Sequence, residues 1–173
     1  AVQALFVSGA LMMSVEAESK ISSILRRINT INRKIFPRER FLTLCYCELF
    51  DGEEGLMLYS NAGHPKPIHF HAESGRCTEL AVTGPVIGLL PDAQFSVTNT
   101  NIKRNDVLVM YTDGITEANN GDEEFEERKL MDVITAHAQG SAKDICRIIL
   151  QEVQVFSTFG SHADDKTLVV IKR

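Results

Sequence analysis

The sequence predicts an α+β fold with helices lying outside antiparallel sheet. Two observations carry that prediction. Helical periodicity occupies the two ends of the chain, while the middle is a meander of short strands joined by Gly-, Asn- and Asp-containing turns. Within the second half, Val107-Leu-Val-Met-Tyr111 is apolar without alternation, which reads as a strand covered on both faces. No repeat, low-complexity tract or internal linker interrupts this order.

The first segment, from about Val2 to Glu18, carries Leu5, Phe6, Leu11, Met12, Met13 and Val15 among small residues and reads as a largely buried helix. Ser19 is the expected N-cap of a second helix. In that helix Ile21, Ile24, Leu25, Ile28, Ile31 and Ile35 keep helical spacing, and Arg26, Arg27, Asn29, Arg33 and Lys34 fall on the wet side. Pro37 ends it. Phe41–Phe50 and Leu56–Ser60 form a hairpin around Asp51-Gly52. Asn61-Ala-Gly-His-Pro-Lys-Pro67 is turn-rich. Ile68–His71 and Cys77–Leu80 are the next strands. Gly84–Pro91 is a loop with apolar anchors, and Phe95–Thr100 is another strand. After the buried strand comes a charged loop at Gly121–Glu124. A helix over Glu127–Ala138 is expected to turn Leu130, Val133, Ile134 and His137 inward. Ser141-Ala-Lys-Asp144 reads as a capping box for a helix carrying Ile145, Ile148, Ile149, Val153 and Phe156. Leu168–Ile171 is the last buried strand.

Composition narrows the function classes. With 173 residues, 44% hydrophobic and 24% charged, the chain has the make-up of an ordinary globular domain with a sizeable core. A net charge of -5 and the lack of a dominant basic stripe argue against nucleic-acid binding. The local cluster Arg26, Arg27, Arg33, Lys34, Arg38 and Arg40 reads as a solvated helix face. No apolar stretch is long enough for a membrane span. Cys45, Cys47, Cys77 and Cys146 include no Cys-x-x-Cys pair, so reduced thiols and a cytoplasmic location are the default. The chain starts without Met, as though inside a helix, and is expected to be cut from something longer.

The chemistry is expected where acidic residues meet strand ends. Asp113 follows the buried strand, with Gly114 behind it for a sharp turn. Asp164 and Asp165 precede the last strand. If those two strands are antiparallel neighbours, the carboxylates converge at one sheet edge. Such convergence is costly unless a cation sits between them. Oxygen ligands select Mg²⁺ or Mn²⁺ over zinc, and an ion there could activate water against a phosphoryl group. A different metal reading pairs Cys45-x-Cys47 with His69-x-His71, each pair on one strand face, as a Cys₂His₂ zinc site. The spacing is not that of known zinc modules, and the cysteines read better as small apolar residues.

Four stretches together resemble one family. Tyr111-Thr-Asp-Gly-Ile-Thr-Glu-Ala118, Asn61-Ala-Gly-His-Pro65, Gly84-Pro-Val-Ile-Gly-Leu89 and Asp164-Asp-Lys-Thr-Leu168 are similar, in order and over essentially the whole chain, to the SpoIIE-type branch of the metal-dependent protein phosphatase (protein phosphatase 2C-like) superfamily. The resemblance implies a four-layer αββα sandwich of two antiparallel sheets flanked by helices, spanning residues 1–173 as a single domain without its first strands. It implies a serine/threonine phosphatase using two Mn²⁺ or Mg²⁺ ions, with Asp113 and Asp164 as metal ligands and Asp165 in a supporting place. His64 falls in the Asn-Ala-Gly-His turn and reads as structural. The family's Asp-x-x-Gly-His-Gly segment, which supplies the bridging Asp and the general acid, is expected upstream of Ala1. The 173 residues are therefore expected to hold metal weakly or not at all and to be catalytically incomplete. Partners implied are a phosphorylated STAS-type anti-anti-sigma-factor-like regulator and an upstream sensory or receiver domain, and a homodimer is compatible. The competing reading is a phosphatase-like binding or signalling module without catalysis.

Overall fold

The computed structural model describes residues 2–17, 20–37, 39–157 and 165–173. In chain order the elements are α1 (Val2–Glu16), α2 (Ile21–Ile35), β1 (Leu44–Leu49), β2 (Leu56–Ala62), β3 (Ile68–His71), β4 (Arg76–Glu79), β5 (Thr98–Asn101), β6 (Val107–Tyr111), α3 (Asp113–Thr116), α4 (Glu126–His137), α5 (Ala142–Phe156) and β7 (Leu168–Lys172). They form two antiparallel sheets with helices, a mixed α+β architecture. The chain divides into two compact units.

The first unit comprises Ala1–Gly52, Leu56–His64 and Ala81–Asn101 and holds the three-stranded sheet β1-β2-β5. The hairpin expected around Asp51-Gly52 is present, with Leu44 opposite Ala62 and Leu49 opposite Met57. Helix α2 buries Ile21, Ile24, Leu25 and Ile28 in a cluster with Ala62, Ile87, Ala93 and Phe95. Its apolar stripe is narrower than the spacing suggested: Ile31 and Ile35 are exposed, whereas Asn29 and Asn32 are buried. The reason is polar. The Asn29 carboxamide accepts the Gly88 N–H at 2.7 Å and donates to the Leu90 carbonyl at 3.0 Å. Arg33, also expected on the wet side, donates to the carbonyls of Gly88 (2.9 Å) and Leu89 (2.8 Å). Ile87 of the Gly84–Pro91 loop bonds Leu42 in both directions, and α2 supplies partners for the backbone of Gly88 to Leu90. Gly88 sits at φ +95°, and a Cβ there would collide with the Asn32 carboxamide.

Helix α1 is not largely buried. Val7 is enclosed and Phe6, Ala10 and Leu11 pack on the same cluster, but Leu5 and Met13 are 78% and 75% exposed. Its sequence is apolar on every face, so packing on one side leaves the rest in solvent. The α2 N-cap position is Lys20, without a side-chain cap; Ser19, expected there, lies outside the described residues.

The second unit comprises Glu53–Gly55, Pro65–Leu80 and Ile102–Arg173 and holds the sheet β4-β3-β6-β7, all antiparallel. Strand β6 is central, and all of it is buried except Met110, which is partly so. Its neighbours set the core: Ile68, Phe70, Val107, Val109 and Tyr111 pack with Leu130, Ile134, Ala138, Ile145, Ile149 and Val153 from α4 and α5. His137, expected inward, is exposed, and Ala138 takes the buried place one residue later. At the C-terminal end of α4, Lys172 donates to the carbonyls of Ala138 and Gly140, both at 2.8 Å. A cation suits a helix C-terminus, where carbonyls lack partners. The Ser141 N-cap is present, with the return contact made through its hydroxyl: the Asp144 N–H donates to Ser141 Oγ (3.1 Å), whose hydroxyl donates to the Asp144 carboxylate (2.6 Å).

Two outcomes follow. Asn29→Ala leaves the buried Gly88 N–H without its acceptor, and urea denaturation should show a loss of about 1–3 kcal/mol. The Ser141 hydroxyl, foremost, holds the Asp144 carboxyl below the usual Asp range. The unfolded chain therefore takes up that proton first on acidification. The cap's contribution is complete above the ordinary Asp pKa and fades as pH falls through the lower folded value. A Ser141→Ala variant should cost about 1 kcal/mol near neutrality and progressively less in acid, measured by thermal unfolding across pH.

Candidate active site

The end of β6 beside the start of β7 is where the sequence placed its chemistry. The two strands are antiparallel, from Val107 opposite Lys172 to Tyr111 opposite Leu168. The pairing continues one residue further. The Thr112 N–H donates to the Thr167 carbonyl at 3.1 Å, and the Thr167 N–H donates to Thr112 Oγ1 at 3.0 Å. The Thr112 hydroxyl in turn donates to the Asp165 carbonyl at 3.2 Å. One threonine thus straps the approach to β7 against the residue before Asp113. A threonine can do this because its hydroxyl both accepts and donates.

Asp113 does not sit in a simple turn. It is the first residue of the short helix α3, with Thr112 at the N-cap position. Its carboxylate accepts the Gly114 N–H at 3.0 Å, and its carbonyl accepts the Glu117 N–H at 2.8 Å. Gly114, Ile115 and Thr116 behind it are buried, and Asp113 itself is exposed. Among the described residues no ion pair compensates its charge. A rigidly placed, unpaired carboxylate at a buried strand's tip is suited to a hard cation, which takes oxygen ligands and keeps water in its remaining positions. Asp113 therefore fits as one ligand. Asp164, the other expected ligand, lies outside the described residues. Asp165 is exposed, and its carbonyl is engaged by Thr112.

Tyr111, preceding this pair, is 2% exposed, and its hydroxyl is buried without a hydrogen-bond partner. Burial, then the nearby Glu127 and Glu79 charges, pushes its pKa up, so it stays a neutral phenol. The Asn61–His64 turn is closed by the Asn61 side chain. Asn61 accepts the His64 N–H at 2.8 Å and donates to the His64 carbonyl at 3.0 Å. Gly63 holds φ +69° inside it. The His64 ring lies 3.1 Å from the Thr43 hydroxyl.

The two cysteines expected to pack as small residues face one another on β1, Sγ to Sγ 3.9 Å, and none of the four cysteines is in a disulfide. They do not join His69 and His71 in a metal-ligating group: among the described residues the group of three such side chains is His69, His71 and Asp106. Asp106 was missed in the sequence, where it looked like part of a polar turn. The available signal was register. With Phe70 opposite Val107, Asp106 stands abreast of His71.

With this geometry in place, the comparison with known proteins is decisive. A model of the family described as "Stage II sporulation protein E (SpoIIE)" matches residues 1–173. The chain belongs to the SpoIIE family. It is 24% identical over 152 residues to the phosphoserine phosphatase RsbU of Bacillus subtilis, covering 88% of this chain and 45% of RsbU. The SpoIIE-family chain therefore spans just under half the length of that relative. A solved structure of the PP2C phosphatase domain of SpoIIE with a fragment of its regulatory domain, from Bacillus subtilis, superimposes with a TM-score of 0.82 at 17% identity. That superposition covers 99% of this chain and 50% of the other. The manganese-presoaked SpoIIE phosphatase domain from the same organism matches with a TM-score of 0.61 at 16% identity, covering 98% and 72%. These likenesses establish a PP2C-like fold. No helix among the described residues is long and apolar enough to cross a membrane.

Replacing Thr112 by Val keeps its shape but removes both hydroxyl bonds. Denaturant unfolding should show a loss of about 1–2 kcal/mol, with faster hydrogen exchange at the Thr167 amide. Unchanged exchange there would contradict the strap.

Proposed function

We propose that residues 1–173 act as one domain of a metal-dependent serine/threonine phosphatase, removing the phosphoryl group from a phosphorylated STAS-type regulatory protein in bacterial signalling. The observation that carries this is Asp113: an exposed carboxylate without an ion-pair partner among the described residues, fixed at the end of β6 in a SpoIIE-family chain. We assign Asp113 and Asp164 as ligands of Mn²⁺ or Mg²⁺. The chemistry such an ion supplies is neutralisation of phosphoryl charge and a lowered pKa for water. Asp113 contributes position: the Gly114 N–H holds one carboxylate oxygen, and the Thr112 strap fixes the backbone just before it, which lowers the ordering cost when an ion arrives. We assign no general acid within these residues; His64 belongs to the Asn61–His64 turn, with its ring against the Thr43 hydroxyl.

The test uses the full-length protein with Mn²⁺, a phosphorylated STAS-type protein and p-nitrophenyl phosphate. Asp113→Asn is nearly isosteric and should lower kcat by about two orders of magnitude, with an unchanged circular dichroism spectrum. A variant as active as the parent would remove Asp113 from the site. Binding of the phosphoprotein without hydrolysis by the parent would overturn the phosphatase assignment in favour of a binding module.

A further inference from the structure

Strand β6 has acidic residues just beyond both ends. Asp113 follows it, and Asp106 precedes it, seven residues away, which at a strand rise of ~3.3 Å per residue puts the two roughly 20 Å apart. The Asp106 end carries a different donor set. His69 and His71 alternate along β3 and so project from one face. Phe70 pairs with Val107, which brings Asp106 alongside. His69 Nε2 lies 2.9 Å from Asp106 Oδ2. The His69 and His71 rings lie 3.9 Å apart between centroids. A donor atom from each of the three residues falls within 4.8 Å of the others.

We propose that His69, His71 and Asp106 form a binding site for a borderline divalent transition cation of the Zn²⁺ type. Metal–nitrogen and metal–oxygen bonds of ~2.0–2.2 Å set neighbouring donors about 3–3.5 Å apart. The His69–Asp106 pair already has that separation. His71 is half-buried and held to the Thr78 hydroxyl through Nε2 at 2.8 Å, so its other nitrogen is available and a small side-chain rotation closes the gap. Coordination displaces the proton shared by His69 and Asp106 to solvent, and water completes the shell. Two imidazoles and a carboxylate favour Zn²⁺ over Mg²⁺, the opposite of the all-oxygen preference at Asp113.

The competing account is a purely structural His69–Asp106 pair; it gives no part to His71, whose ring lies against His69 and whose ligand atom falls within the same 4.8 Å as the other two. Asp106 is well anchored: Oδ1 accepts the Ala72 N–H at 2.8 Å and Oδ2 the Lys103 N–H at 2.9 Å. Those bonds fix the carboxylate for a metal as an outer hydrogen-bond shell does. The site stands whether or not the chain is a phosphatase.

The experiment is a Co²⁺ titration of the chelator-stripped full-length protein, followed by visible d–d absorption, with Zn²⁺ added afterwards in competition. Zn²⁺ should bleach one Co²⁺ site per chain. His71→Ala, at a half-buried position that should not disturb folding, should weaken that site by at least about tenfold. Asp113→Asn should leave it unchanged. No absorption in the parent protein would overturn the proposal. So would a Co²⁺ affinity unchanged by His71→Ala, or a site lost with Asp113→Asn.

Discussion

Strand β6 is hydrogen-bonded on both edges, to β3 on one side and β7 on the other, and most of it has no access to solvent. It pairs with β7 along its whole length and with β3 from Val107 to Val109. A one-residue slip would turn Val107, Val109 and Tyr111 away from the core they share with α4 and α5, so its register is fixed. Everything attached to its ends inherits that precision. Asp113 at one end and Asp106 at the other are polar residues whose positions are set by an apolar strand.

The consequence for chemistry is preorganisation. A carboxylate on a long loop would have to be ordered when an ion binds. Here the ordering is supplied by folding: β7 pairs up to Leu168, Thr112 extends the pairing to Thr167, and α3 begins at once behind Asp113. The same logic applies to Asp106, held by two backbone amides before any ligand arrives. Polar side chains of α2 do similar work in the first unit, where Asn29 and Arg33 take up the backbone of the Gly84–Pro91 loop.

Much of this was legible in the sequence because it depends on local pattern. The unalternating run at Val107–Tyr111 marked a buried strand, Asp51-Gly52 marked a hairpin, and Ser141 with Asp144 marked a helix start. The antiparallel pairing of β6 with β7 was a condition in the sequence and is a fact of the structure. What failed depended on distant partners. Asn29 and Arg33 looked solvated because polarity alone cannot reveal a loop that arrives some 55 to 59 residues later to use them. Helix α1 looked buried because apolar content does not say how many sides will be covered. Asp106 looked like a turn residue because only cross-strand register brings it to His69.

The central claim is that Asp113 is a metal ligand held ready by β6. The most direct measurement is a crystal structure of the full-length protein grown with Mn²⁺, with anomalous scattering recorded to locate the ions. The account predicts an ion within about 2.1–2.3 Å of an Asp113 carboxylate oxygen, with Thr112 still bonded to Thr167 and Asp165. Ions bound elsewhere, with the Asp113 carboxylate left to solvent, would contradict it.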